Sequence, residues 1–378
     1  MNETRHIRIL LIEDSPTSAV LTQVCLEEGL GQPFTLETVD SLAAGLEKID
    51  DGERDLVLLD LTLPDCYGLE TFSRLRRKAP GIPIVVLTGL VDQDTAVKAV
   101  SLGAEEFVLK EESSATTLSR AVRFALERHQ RQHIERELHA AHEVQQTLYP
   151  SSAPDLPGLE IAGAVWPAEA ACGDYFDYVS LQGNTLGIAV GDVTGHGMRA
   201  ALTMVETRAY LRVLSRAAAQ NGAPPDPGAI LGDVNDLLCG GSGTLLVTLF
   251  FVCLNPVTRM LLYAGAGQEA YLLRADGQVE DLESTGLPLG LDATMAIPSA
   301  EPVQLQSGDL LLLPTDGIFE ARQRDGELFG AARMLETVQG CRDQPAQEIV
   351  SAVHRAAREF TSNGVQDDDM TVVVIKVK

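Results

Sequence analysis

The sequence predicts two domains of different build joined by a long helix. Residues 5–125 predict an α/β doubly wound domain on a five-stranded parallel sheet, and residues 150–378 an α+β domain, an antiparallel β-sandwich flanked by helices. Three observations carry this prediction. Short apolar runs alternate with helix-like stretches through the first 125 residues, the mark of a parallel sheet covered on both faces. Residues 114–149 contain neither Gly nor Pro. Beyond Pro150, strand-like runs follow one another with few helices between, as in antiparallel sheets. A chain of 378 residues also suits two domains at roughly 100–200 residues each.

In the first domain the strands are read at Ile7–Ile12, Phe34–Val39, Leu56–Leu59, Ile84–Leu87 and Glu106–Leu109. Helices are read at Pro16–Gly29, Leu42–Ile49 and Val97–Leu102. Ser113 and Ser114 cap the linker helix, read over residues 114–149. Its Leu118, Val122, Ala125, Ile134, Leu138, Ala141 and Leu148 recur at spacings of three and four, which fits coiled-coil core positions and favours a parallel homodimer, while a single helix packed on a domain would show a similar pattern. Pro150, Pro154 and Pro157 mark the boundary that follows. The second domain reads as strands at Leu159–Ala164, Tyr175–Leu181, Leu186–Val190, Leu246–Leu254, Met260–Tyr263, Ala270–Leu273, Leu310–Leu313 and Thr371–Lys378. Its helices are read at Met198–Gln220, Pro227–Leu238 and Ala346–Phe360.

Charge and cysteine usage narrow the function classes. Lys and Arg total 29 against 54 Asp and Glu, a net charge of −25. Such a chain does not bind nucleic acid by bulk electrostatics and fits an anionic membrane surface poorly. Phosphate binding would require metal ions to reverse the local sign. The six cysteines are scattered without CxxC or zinc spacing, which suits a reducing cytoplasm. The opening MNETRHIRILLIED carries no signal-peptide pattern, and no apolar run nears the roughly 20 residues that span a bilayer.

Chemistry-bearing residues gather at strand ends, where open α/β sheets bind ligands. Glu13 and Asp14 follow the first strand, Asp60 the third, Thr88 the fourth and Lys110 the fifth. Carboxylates of this kind can hold Mg²⁺, and one can act as a nucleophile towards a phosphoryl group. In the second domain Asp174 and Asp177 lie in CGDYFD, Asp192 in GDVTGHG, Asp316 in LLLLPTDGIFEA, and Asp367, Asp368 and Asp369 just before the last strand. Each alone suits a turn. Together, as oxygen ligands without a Cys or His cluster, they favour Mg²⁺ or Mn²⁺ over zinc.

The segments IEDSPTSAVL, LLDLTLPDCYGLE, VVLTGL and GAEEFVLKE resemble the receiver domain of two-component response regulators. The resemblance implies Asp60 as phosphoacceptor, with a sensor histidine kinase as donor. It also implies Glu13, Asp14 and Asp60 as a Mg²⁺ pocket, and Thr88 and Lys110 as the signalling pair. Phe107 stands where that family more often has a switch Tyr, so it keeps the ring and lacks the hydroxyl.

CGDYFD, GDVTGHG, AGAG before AYLL, STGLPLGL, TDGIFEA and QDDDMT, in this order, resemble the SpoIIE-type branch of the PPM metal-dependent serine/threonine protein phosphatases. HEVQQTLYP resembles the helix that leads into that domain. The resemblance implies a binuclear Mn²⁺ or Mg²⁺ centre. Asp192 would bridge both ions, the Val193 carbonyl would bind one, Asp316 and Asp368 would complete the set, and Asp174 would lie in or beside it. Asp369 would orient its neighbour, and His196 is a candidate proton donor to the leaving serine oxygen. Cys172 and Gln268 depart from the usual Gly and His.

The implied substrate is a phosphoserine or phosphothreonine protein, such as an anti-anti-sigma-factor domain in a partner-switching circuit. Phosphorylation of Asp60 would control the phosphatase, with activation the expected direction. A non-catalytic adaptor is the alternative, and retention of Asp174, Asp192, Asp316 and Asp368 weighs against it. A DNA-binding output is disfavoured by the charge and by the motifs that fill the C-terminal region.

Overall fold

A computed structural model describes residues 6–50, 53–89, 93–181, 184–220, 225–241, 245–362, 364 and 366–378. Residues 1–5, and Leu90 at the end of VVLTGL, lie outside the described residues. The chain forms two compact units, Met1–Glu137 and Leu138–Lys378.

The first unit runs β1 (Ile7–Ile12), α1 (Pro16–Gly29), β2 (Phe34–Val39), α2 (Leu42–Asp50), β3 (Leu56–Asp60), β4 (Thr62–Leu63), β5 (Cys66–Tyr67), α3 (Leu69–Lys78), β6 (Ile84–Thr88), α4 (Gln93–Ser101), β7 (Glu106–Leu109) and the start of α5 (Ala115–Gln146). Strands β1, β2, β3, β6 and β7 form a parallel sheet in the order β2-β1-β3-β6-β7, and β4 and β5 form a short hairpin. The central strands β3 and β6 read as apolar runs, LVLL and IVVL, because both faces are covered. Ile7, Ile9 and Leu11 pack with Leu26 of α1 and with Leu118, Val122 and Ala125 of α5. Leu10 and Ile12 face the other way and pack with Leu42 of α2, Phe72 and Leu75 of α3, and Ala96 and Ala99 of α4.

That packing corrects part of the coiled-coil reading. Leu118, Val122 and Ala125 are buried in the core of this unit, so they are unavailable to a dimer seam, whereas Ile134 is exposed. The Thr117 N–H donates to Ser114 Oγ at 3.1 Å, the expected N-cap. The helix ends at Gln146, so Leu148 falls beyond it. Its 32 residues carry the chain from the first unit into the second.

The second unit continues with β8 (Leu159–Trp166), β9 (Tyr175–Ser180), β10 (Leu186–Val193), α6 (Met198–Gln220), α7 (Pro227–Cys239), β11 (Val247–Asn255), β12 (Met260–Ala266), β13 (Ala270–Leu273), β14 (Val279–Leu282), β15 (Val303–Gln304), β16 (Leu310–Pro314), α8 (Asp316–Phe319), α9 (Gly330–Gly340), α10 (Ala346–Phe360) and β17 (Met370–Val377). Two antiparallel sheets result, β15-β12-β11-β10-β9 and β14-β13-β16-β17-β8. Ile188, Val190, Phe250 and Val252 of one sheet meet Leu311, Leu313, Val373 and Ile375 of the other in a shared core. The outer face of the first sheet packs on α6 and α7, and that of the second on α9 and α10. The result is the expected sandwich between helical layers.

Candidate functional sites

In the first unit the carboxylates of Glu13, Asp14 and Asp60 meet, with oxygens within 4.8 Å of one another. Parallel pairing of β1 with β3 brings the ends of these two strands side by side. Asp60 Oδ1 accepts the Thr62 N–H at 2.9 Å, and Asp60 Oδ2 accepts from Lys110 Nζ at 2.7 Å. The same ammonium lies 2.6 Å from Glu13 Oε2. Burial, with the Asp60 charge adding to it, raises the Glu13 carboxyl above its usual range, although Lys110 opposes this. Burial disfavours the Lys110 charge, but its bonds to Asp60 and Glu13 prevail and hold the ammonium more firmly protonated than usual. Thr88 is buried at the end of β6, paired in register with Leu109 next to Lys110, and Phe107 is half-buried against the sheet. The structure therefore brings Glu13, Asp14, Asp60 and Lys110 into contact. Thr88 donates to the Gly89 carbonyl at 3.4 Å.

In the second unit Asp192 and Val193 still belong to β10, paired with Thr248 and Val247 of β11. The strand therefore runs two residues into the motif, and the loop before α6 is only residues 194–197. A side chain at Gly173 would meet Val193 O at 3.1 Å and Asp192 Oδ1 at 3.3 Å, so glycine lets this loop lie against both oxygens. Asp316 opens the short helix α8 rather than a turn. A Cβ on Gly317 would fall 1.8 Å from Asp369 O, so the Gly of TDG serves close backbone approach. Asp174 is fully buried, and Thr315 Oγ1 donates to its Oδ2 at 2.7 Å.

The acids respond to one another. Burial first, then the charges of Asp316, Asp368 and Asp369, push Asp192 up to about 7. Burial and the nearby Asp192 raise Asp174 well above the carboxylate range. Asp316 rises through burial and Asp368. Asp368 rises through desolvation and the Asp369 charge, against a hydrogen bond from the Asp369 N–H at 2.8 Å. Among the described residues, none of Asp174, Asp192, Asp316, Asp368 and Asp369 has a Lys or Arg within ion-pair distance. A set of mutually repelling carboxylates without a cation fits divalent metal ions. No three of them close to within 4.8 Å as Glu13, Asp14 and Asp60 do.

Asp369 does more than contact its neighbour. Its carboxylate accepts the N–H groups of Ala168 and Gly173, each at 2.7 Å, and so ties the loop before β9 to the start of β17. His196 is largely exposed, with Nδ1 3.5 Å from Glu169 Oε2 and Asp368 within electrostatic reach. Asp177 is not among the converging acids, since its carboxylate is occupied by Arg212.

Several supporting residues were not read from the sequence. Thr315 and Gly317 flank Asp316, and a hydroxyl beside a strand-end acid was the available signal. Gln145 clamps both backbone groups of Cys172, at 2.6 and 3.0 Å, and Tyr149 donates to Asp174 O at 3.0 Å. Gln268, in place of the usual His, donates to Pro314 O at 2.9 Å and braces the strand that leads to Asp316.

A parallel α/β unit with a carboxylate pocket at its strand ends is followed by a two-sheet sandwich with its own set of buried acids. Residues 182–378 match the family model of Stage II sporulation protein E (SpoIIE), and the chain belongs to that family. Residues 9–123 match the response regulator receiver domain. Protein IcfG of Synechocystis sp. is 29% identical over 264 residues, covering 63% of this chain and 41% of that protein. Phosphoserine phosphatase RsbU of Bacillus subtilis is 27% identical over 250 residues, covering 65% of this chain and 72% of that relative. The SiaA-PP2C domain of Pseudomonas aeruginosa shares the fold, with TM-score 0.58 and 23% identity over 66% of this chain and 98% of that one. The RsbU and RsbW domains of Rv1364c from Mycobacterium tuberculosis align with TM-score 0.52 and 28% identity, covering 61% of this chain and 63% of that one.

Proposed function

We propose that this chain is a response regulator in which phosphorylation of Asp60, by a sensor histidine kinase, controls a metal-dependent protein serine/threonine phosphatase. The observation that carries the reading is that Asp192, Asp316 and Asp368 lie within electrostatic reach of one another and, among the described residues, have no Lys or Arg at ion-pair distance; burial, and then these charges, push Asp192 up to about 7. Likeness to RsbU, named a phosphoserine phosphatase, supports the same chemistry. Asp192, the Val193 carbonyl, Asp316 and Asp368 would hold two Mn²⁺ or Mg²⁺ ions, with Asp174 beside them and Asp369 bracing the loop. When bound, such ions supply a water nucleophile at neutral pH and offset charge on the transferring phosphoryl group.

The chain's own groups set the stage for this. Thr315 and burial fix the Asp174 carboxyl. Gly173 and Gly317 permit the backbone to close around the acids. His196, exposed beside Asp368, is the candidate proton donor to the leaving oxygen. In the receiver, Glu13, Asp14 and Asp60 would hold Mg²⁺, and Lys110, already on Asp60, would neutralise the acyl phosphate. Thr88 and Phe107 would relay the change, which α5 carries towards the second unit.

The substrate we propose is a phosphoserine or phosphothreonine protein of the anti-anti-sigma-factor class. The exposed part of α5 around Ile134 is the proposed homodimer contact. The test is release of phosphate from a phosphoserine protein with and without Mn²⁺, for the native chain and Asp316→Asn. Mn²⁺-dependent release by the native chain alone supports the proposal, and equal background rates in both refute it.

A further inference from the structure

Asp177, the third residue of β9, is a fully buried carboxylate away from both acidic centres. It shares a strand face with Tyr175 and Val179, which pack into the apolar layer under α6 and α7. Arg212 of α6 grips it with two nitrogens, Nε at 2.5 Å and Nη2 at 2.7 Å. The Tyr178 N–H donates at 2.8 Å and the Tyr175 hydroxyl at 3.2 Å. Arg208, one turn earlier on α6, places Nε 3.4 Å away. A buried ion pair is a weak device for stability, because apolar side chains of similar volume often do as well or better. What a bidentate pair adds is direction: it selects one axial and rotational setting of the helix.

That setting reaches the acidic centre. Helix α6 starts directly after the 194–197 loop, whose Gly195 and Gly197 have φ of +90° and +81° and nothing within 4 Å of where a Cβ would lie. Thr194 ties the start of the loop to Leu246, while the two glycines after it lack packing at their Cβ positions, so the far end of the loop follows α6. Ala200, in the first turn, is buried and lies 3.4 Å from the Cβ position of Gly173. That position is also 3.3 Å from Asp192 Oδ1 and 3.1 Å from Val193 O. One rigid helix, about 18 Å from Arg212 to Ala200, joins the charge clamp to these oxygens.

We propose that Asp177, with Arg208 and Arg212, is a positioning clamp that sets α6 where Asp192 and the Val193 carbonyl can both face divalent cations. This rests on Asp192 being a metal ligand. The test is the full chain with Asp177→Leu, Arg208→Met and Arg212→Met together, which replaces the charges by apolar volume. Urea unfolding followed at Trp166, the single tryptophan, reports on the second unit, and titration calorimetry reports Mn²⁺ binding. The clamp predicts a folded protein of equal or higher stability whose Mn²⁺ affinity falls at least about ten-fold, with kcat falling too. A folded triple variant with native Mn²⁺ affinity and kcat overturns the proposal.

Should the triple variant not fold, Arg212→Lys keeps the charge but loses the fork; weakened Mn²⁺ binding supports the clamp and native binding overturns it. Should the native chain itself bind no Mn²⁺, the metal reading fails separately. Amide exchange in α6 then decides: faster exchange in Arg212→Lys supports the clamp, and unchanged exchange overturns it.

Discussion

Replacing Asp192 by Asn removes a candidate metal ligand, and it should stabilise the metal-free protein. Burial, and then the charges of Asp316, Asp368 and Asp369, disfavour the ionised form of Asp192 and push it from its ordinary value near 3.8 up to about 7. A folded pKa above the unfolded one favours the fold at low pH. That advantage is fully present below the unfolded value and is lost as pH rises through the folded value. The gap between the two values corresponds to roughly 4 kcal/mol lost above about pH 7 and about 1.5 kcal/mol lost at pH 5.

Asn carries no charge and escapes this cost. In EDTA, Asp192→Asn should therefore exceed the native chain by about 4 kcal/mol at pH 8 and by about 1.5 kcal/mol at pH 5. The assay is urea unfolding read at Trp166, which sits on β8 in the second unit. Mn²⁺ should narrow the gap at pH 8, since ions that bind only the folded native chain stabilise it by about 2.7 kcal/mol at a hundred-fold excess over Kd. A variant that unfolds at lower urea than the native chain at pH 8 in EDTA would refute this reasoning. So would a stability gap that does not widen between pH 5 and pH 8.

Two further substitutions probe the geometry. Gly317→Ala puts a methyl 1.8 Å from Asp369 O, so it should cost about 3 kcal/mol in the same unfolding assay and weaken Mn²⁺ binding. A native midpoint would contradict the close approach. Lys110→Ala leaves the buried Glu13 and Asp60 without the ammonium at 2.6 and 2.7 Å, so the receiver should lose roughly 3 kcal/mol in EDTA and regain part of it in Mg²⁺, followed by amide exchange in β1 and β3. Exchange indifferent to both Lys110 and Mg²⁺ would remove the case for a cation pocket.

The parallel sheet was legible because its strands are apolar on both faces: Ile7–Ile12 reads as one run since alternate residues enter two separate cores. The pocket acids were legible because each directly follows such a run. Helix α3 was not read, since LETFSRLRRK buries only Thr71, Phe72 and Leu75 and is otherwise polar. Strand β14 was missed for a related reason: VEDL is an edge strand with a single buried residue, Leu282. The stripe on α5 misled because spacings of three and four serve a helix packed on a sheet as well as a coiled coil, and Leu118, Val122 and Ala125 take the former role.

At the candidate sites the ligand types were visible but their supports were not. Thr315 and Asp174 are 141 residues apart, and Asp369 and Gly173 are 196 apart, so only the folded sheets reveal those bonds. Asp177 showed the opposite limit. As a second Asp in CGDYFD it looked like another strand-end acid, and its partner Arg212 lies 35 residues on in an unrelated helix.

We propose that the aspartate pocket in the first unit controls the acidic centre in the second. The most direct test is the rate of phosphate release from a phosphoserine protein, in Mn²⁺ and Mg²⁺, before and after treatment of the full chain with acetyl phosphate, beside Asp60→Ala. Treatment should raise the native rate and leave Asp60→Ala unchanged. A native rate that does not respond, or one that rises equally in Asp60→Ala, would contradict it.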